Sequence, residues 1–183
     1  MKRPWRIILI VTLIVVALDQ LSKYLVVTHL PLGGVWSPFA GTPPVFQIVH
    51  TANSGVAFGF LKGLGPLVAI VALAVTVGIL FYGYRLRHDQ WFMALALGLM
   101  LGGALGNMLD RLARQGQVVD FLDVGVGTTR WYTSNVADVS MVLGVILLGL
   151  ATLLDERKQR RQSRLTSRKA GLSAPASERE ATR

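Results

Sequence analysis

The chain contains no cysteine. That excludes a disulfide framework, a thiol nucleophile and any cysteine-ligated metal site. Histidine is nearly as scarce: His29, His50 and His88 are scattered, which leaves a Ser/His triad without a local base. Acids are few as well, ten Asp and Glu against nineteen Lys and Arg, for a formal net charge of +9. Before residue 155 the acids are Asp19, Asp89, Asp110, Asp120, Asp123 and Asp138. An acid near a bilayer is expensive and persists for a reason, so each of these is informative.

What the chain has in quantity is apolar length. Of its 183 residues, 52% are hydrophobic. Four stretches, about residues 5–27, 63–84, 90–109 and 135–154, reach the ~20 apolar residues a bilayer span needs. The first opens with Lys2, Arg3 and Arg6 like a secretory signal, but no small-residue cleavage site follows it. Asp19 to Lys23 keeps helical spacing, so the segment reads as a retained helix. The expected fold is an all-α polytopic membrane protein: four transmembrane helices over residues 1–154 with a small extracytoplasmic β-hairpin or cradle. Residues 155–183 read as a basic, disordered cytoplasmic tail that touches anionic lipid.

The positive charge is distributed for a membrane, not for nucleic acid. Lys2, Arg3, Arg6, Arg85, Arg87 and the nine Lys/Arg after Leu154 fall on one side of a four-helix topology. Lys23, Lys62, Arg111, Arg114 and Arg130 fall on the other. The positive-inside rule then puts both termini in the cytoplasm and both long loops outside. In the first loop, Val45 to His50 and Val56 to Phe60 have strand character around a turn at Asn53-Ser54-Gly55. In the second, Gln117 to Val124 has strand character, and Trp131 and Tyr132 have the character of interfacial anchors. The third helix carries Gly98, Gly102 and Gly106 at four-residue spacing with Gly103 beside them, a pattern that lets helices approach closely.

All the early acids except Asp89 map to the outer edge, together with Lys23, Asn53, Asn107, Arg111 and Asn135. Asp19 and Lys23 are i,i+4 on a helix and can pair. Asn107 and Asp110 are i,i+3 and share a face. Asp120 lies in an apolar strand, and an apolar setting raises a carboxyl pKa. Asp138 starts the fourth helix, with enough loop between the two to fold back. Two carboxylates that meet share one proton, so that one accepts a proton from water while the other donates to a carbonyl oxygen. Spacing alone leaves alternatives open. Asp138 is also a carboxylate favoured by a helix N-terminus. A divalent-metal site on Asp110, Asp120, Asp123 and Asp138, and ion or proton transport, use the same residues.

Five blocks carry a resemblance. They are Asp19-Gln20-Leu21-Ser22-Lys23, Asn53-Ser54-Gly55-Val56-Ala57-Phe58, Gly102 to Arg111, Val118-Val119-Asp120-Phe121 and Asn135-Val136-Ala137-Asp138. In this order, from about Trp5 to Leu154, the chain resembles the lipoprotein signal peptidases, or signal peptidase II. Val139 stands where the family more often has Ser. The resemblance implies an intramembrane aspartic endopeptidase of the bacterial cytoplasmic membrane, with its active site at the outer face. It implies cleavage of prolipoproteins just before a diacylglyceryl-modified cysteine, with membrane lipid and lipid-modified prolipoproteins as partners. Beside it, the charge distribution argues against nucleic acid, a pair of carboxyls that share a proton needs neither metal nor cofactor, and the expected state is a monomer. By that similarity Asp120 and Asp138 form the catalytic dyad. Asn53, Gly55, Asn107, Asp110, Arg111 and Asn135 line or support the pocket, and Asp19 and Lys23 brace it.

Overall fold

The computed structural model describes residues 3–38, 45–53, 65–127 and 129–173. The element order is α1 (Arg3–His29), β1 (Val35–Trp36), β2 (Phe46–Asn53), α2 (Gly65–Arg85), α3 (Trp91–Ala113), β3 (Val118–Val126), β4 (Thr129–Arg130) and α4 (Val136–Ser173). Three helical segments, Arg3–His29, Trp91–Ala113 and Val136–Ser163, are long and apolar enough to cross a membrane. A helix satisfies its own backbone hydrogen bonds, which is why such runs adopt it in lipid.

Polarity in α1 is inverted relative to a water-soluble helix. Its buried stripe is Pro4, Ile8, Thr12, Val15, Asp19, Lys23 and Val26, recurring every three or four residues. Ile10, Leu13, Ile14, Leu18, Leu21 and Leu25 are exposed. Apolar side chains face outward because lipid is their solvent, and the costly polar ones turn inward to find partners. α3 is the central helix, packed on both α1 and α4. Its glycines set those distances. A methyl group on Gly102 would lie 2.6 Å from Cβ of Val15 in α1, and one on Gly106 would lie 2.6 Å from Oδ2 of Asp19. Gly103 instead faces the backbone of Ala137 in α4. Thr12 also donates its hydroxyl across the contact to the Gly98 carbonyl at 3.2 Å.

A four-stranded antiparallel sheet in the order β1-β2-β3-β4 covers one end of the bundle. The register pairs Thr51 with Asp120 and Asn53 with Val118, with an irregularity between Ile48 and Thr51. Val119 and Phe121 pack with Val26 of α1, and Ile48, Leu122 and Val136 flank them. This apolar cluster seats the sheet on the bundle.

Two expectations change. The strands paired with β2 are β1, in the same loop, and the distant β3, so the sheet joins the two long loops; Gly55 and the second strand of the expected hairpin, Val56 to Phe60, lie outside the described residues. The fourth helix does not stop near residue 154 but continues to Ser173, so residues 155–173 are helical where disorder was expected. Contacts at the far end of the bundle explain it. Arg87 donates to Asp155 at 2.9 Å, Gln90 donates to Asp155 at 3.0 Å, and Lys158 pairs with Asp89 at 2.8 Å. These tie the first turn of the extension to the α2–α3 link, and its Arg, Lys, Gln and Leu residues are good helix formers.

Candidate active site

The site lies under the sheet, where the second half of α1, the last turns of α3 and the first turn of α4 meet. At its base is a fully buried cation. Nζ of Lys23 is 2.8 Å from Oδ2 of Asp19, 3.0 Å from Oδ2 of Asp110 and 3.1 Å from Oδ1 of Asn107. Lys23 and Asp19 are 0% exposed and Asp110 is 1% exposed, so this is an internal brace and not an ion pair easing a helix end. Backbone donors add to the brace: Ala137 N–H reaches the other oxygen of Asp19 at 3.0 Å, and Val119 N–H shares Oδ2 of Asp110 with Lys23 at 3.0 Å. The brace thereby fixes the start of α4 and the start of β3, the two segments that carry Asp138 and Asp120. Among the described residues no buried side-chain polar atom lacks a partner.

Two asparagines link the brace to the candidate dyad. Asn107 accepts from Lys23 and donates to Oδ1 of Asp138 at 2.8 Å. Asn135 donates to Oδ1 of Asp120 at 2.7 Å and to Oδ1 of Asn107 at 3.1 Å. Its own Oδ1 accepts the Asp138 N–H at 3.0 Å, the N-cap bond of α4. One amide thus caps the helix bearing Asp138 and holds Asp120. On the sheet side, Asn53 donates to Oδ2 of Asp120 at 2.9 Å, and Thr51 donates to the Asp120 carbonyl at 2.9 Å. Tyr132 donates its hydroxyl to Oδ2 of Asp138 at 3.2 Å. Arg111, half-buried, donates to the Asn107 carbonyl at 3.1 Å, and its charge acts on both Asp138 and Asp120.

Electrostatics separate the two acids. Asp120 is buried, and burial pushes its carboxyl up to about 6; the nearby Asp138 charge adds to the rise, while the Asn53 and Asn135 hydrogen bonds and Lys23 oppose it. Asp138 is only partly covered. Burial, followed by the Asp138 charge, pushes the Tyr132 phenol up, so it stays a proton donor at neutral pH. A buried carboxyl beside a second one, each held by neutral donors, is an arrangement suited to sharing a proton.

The structure brings together Asp19, Lys23, Asn53, Asn107, Asp110, Arg111, Asp120, Asn135 and Asp138. It sets Asp123 apart, in a bidentate pair with Arg130 at 2.8 and 3.1 Å. Asp110 is committed to Lys23, so the four aspartates of the metal reading do not converge on one point. Val139 is exposed, away from the network. Sequence reasoning missed two members. Gln20 donates to Asp19, to the Gly106 carbonyl and to Asp110, at 3.1, 3.1 and 3.3 Å. Its position three residues before Lys23 is a helical-face signal that pointed there. Tyr132 reads as an interfacial anchor, and no periodicity ties it to Asp138.

A family model described as Signal peptidase (SPase) II matches residues 11–154. A lipoprotein signal peptidase of Bacillus subtilis is 39% identical over 152 residues, covering 83% of this chain and 96% of the relative. One of Geobacter metallireducens is 39% identical over 162 residues, covering 87% and 98%. Among solved structures, a bacterial membrane enzyme determined by the in meso method at 2.3 Å superposes with a TM-score of 0.72. It is 30% identical over 81% of this chain and 88% of its own. With brace, sheet and paired acids lying inside the matched region, the chain belongs to the signal peptidase II family.

Proposed function

We propose that this protein is a membrane aspartic endopeptidase that removes the signal peptide from diacylglyceryl-modified prolipoproteins, with Asp120 and Asp138 as its dyad. The observation that carries this reading is the bridge from Asp138 through Asn107 and Asn135 to Asp120. It joins an acid of β3 to an acid of the first turn of α4, with their oxygens held by neutral donors. The domain is residues 1–154, with α2 as the fourth span, and residues 155–183 are a basic extension. Both termini face the cytoplasm, and the sheet lies on the outer surface of the bacterial cytoplasmic membrane. Charge supports this orientation: Arg3, Arg6, Arg85, Arg87 and Lys158 gather at the end of the bundle opposite the site. The enzyme works as a monomer and uses neither metal nor cofactor.

The reaction uses one ionised and one protonated carboxyl. The ionised acid takes a proton from water as its oxygen adds to the scissile carbonyl carbon, and the protonated acid gives its proton to the carbonyl oxygen. Collapse of the tetrahedral intermediate breaks the C–N bond. The proton held by the first acid passes to the leaving nitrogen, and the intermediate's hydroxyl returns its proton to the second. A substrate held by acyl chains, with an apolar signal helix, brings its cleavage site to the membrane–water boundary, where the sheet meets the bundle.

The test is cleavage of a purified diacylated prolipoprotein, read as a gel shift. Asp120→Asn and Asp138→Asn should each abolish the shift while the protein stays inserted and folded, and wild-type activity should survive chelation. Near-normal turnover by either variant, or activity lost to chelator, overturns the assignment. Solute flux in sealed vesicles without proteolysis would favour a transporter.

A further inference from the structure

The four oxygens of the two acids are held in a regular way. The Oδ1 atoms of Asp138 and Asp120 take the amides of Asn107 and Asn135, which belong to the helical bundle. The Oδ2 atoms take donors from the sheet side, Asn53 on β2 for Asp120 and Tyr132 for Asp138. Tyr132 is firmly placed. Trp131 N–H donates to the Val124 carbonyl at 2.7 Å on one side of it, and Ser134 N–H donates to the Leu122 carbonyl at 3.0 Å on the other. The short arch between these anchors holds the phenol over Asp138.

We infer that Tyr132 is a positioning residue that holds Asp138 as the ionised member of the dyad and leaves the shared proton on Asp120. This rests on the dyad reading above. A phenol that stays protonated can only donate to Oδ2, and a donated hydrogen bond favours the charged carboxylate. The burial that disfavours charge on Asp120 acts in the same direction. The other charged groups around Asp138 do not substitute for Tyr132. Arg111 on α3 acts on both acids, more on Asp138, and so adds to the same bias through space, but its hydrogen bond goes to the Asn107 carbonyl. On α1, Asp19 and Lys23 pair with each other, and Asp110 of α3 is bound to that same lysine. On the sheet, Asp123 and Arg130 are paired with each other. Asn53 gives Asp120 a matching amide donor, so the bias rests on the phenol being the more acidic donor, together with the burial of Asp120; it makes Asp138 the acceptor of the water proton.

The test uses the full-length enzyme in detergent with a synthetic diacylated lipopeptide, measuring kcat and KM from pH 4.5 to 9. Tyr132→Phe keeps the ring and removes the donor. A hydrogen bond to a charged group corresponds to about tenfold or more in an equilibrium. Tyr132→Phe should therefore lower kcat about tenfold with KM little changed, and move the acid limb of kcat/KM up by about one pH unit. Replacing Tyr132 by 3-fluorotyrosine, a more acidic phenol and a stronger donor, should move that limb the other way. This second variant keeps the fold if the first does not. Acid limbs that stay put in both variants, or shift in the same direction, overturn the inference, as does a loss confined to KM. If Asp138→Asn is inactive while the Tyr132 variants leave the limb unchanged, only the tyrosine assignment fails. If Asp138→Asn is active, the dyad fails with it.

Discussion

Lys23→Met removes one charge from the base of the site and almost no volume. Nζ of Lys23 lies 2.8 Å from one buried carboxylate and 3.0 Å from another, so those two oxygens can be no more than about 5.8 Å apart. Without the ammonium they repel by about 3 kcal/mol at an effective dielectric near 20. Breaking a buried pair by deleting one partner costs about 3–5 kcal/mol. Against a net stability of roughly 5–15 kcal/mol, that is a large share. At about 2–4 °C per kcal/mol for a chain this size, the melting temperature in detergent should fall by roughly 6–20 °C. Asn107 loses the donor on its Oδ1 but keeps Asn135 there, so kcat should fall about tenfold, the worth of one hydrogen bond to a charged donor. The double variant Asp19→Asn/Lys23→Met removes the repulsion and should recover about 3 kcal/mol, the repulsive part alone. Circular dichroism melts and a lipopeptide cleavage assay read both effects. A Lys23→Met protein melting within 2 °C of wild type, or a double variant no more stable than the single, refutes the brace.

The Asp120 carboxyl, pushed up to about 6 by burial, binds a proton more tightly in the folded state than its ordinary value of 3.8 allows in the unfolded chain. Its contribution to stability is therefore lost as pH rises from about 4 through 6, on the order of 3 kcal/mol in all. Melts of wild type and Asp120→Asn at pH 4.5 and 7.5 should show wild type losing stability relative to the variant at the higher pH; parallel behaviour refutes it. Gly106→Ala places a methyl 2.6 Å from Oδ2 of an Asp19 that cannot move, and overpacking of this kind costs about 1–3 kcal/mol. Gly149→Ala meets nothing within 4 Å and should instead stabilise α4 by up to about 1 kcal/mol, so the two melts should shift in opposite directions.

Local spacing was enough for some of this site and silent on the rest. The i,i+4 relation of Asp19 and Lys23 and the i,i+3 relation of Asn107 and Asp110 are consequences of helical period: the first pair is in contact, and the second shares a face that meets Lys23. The glycine ladder foretold close packing, and it packs on α1 and α4. Sheet partners are a different matter. Period two assigns faces to a strand but does not name its neighbour, and β2 pairs with a segment that follows α2 and α3 in the chain. The same limit hid Tyr132. Its relation to Asp138 is set by the arch between β4 and α4, not by a repeat. Asp123 looked like one more member of an acid cluster until Arg130, across the β3–β4 turn, claimed it. The helical extension to Ser173 depends on Asp89 and Arg87, which composition of the tail does not contain.

The placement of charge follows from the order in which its costs are met. A lysine and two aspartates are buried to hold four elements, and each is compensated on the spot by an opposite charge or a backbone N–H. Asp120 and Asp138 are treated differently: their oxygens receive the neutral donors Asn107, Asn135, Asn53 and Tyr132. A lysine against either oxygen would fix that acid in its ionised form and remove the proton the reaction needs to move. On the proposed mechanism, neutral donors orient the acids and bias the resting place of the proton without locking it there. The cation is therefore kept one asparagine away from Asp138, close enough to set geometry through Asn107 and without a direct hold on the proton. The proposed dyad depends on that spacing, and it accounts for acids so few being concentrated here.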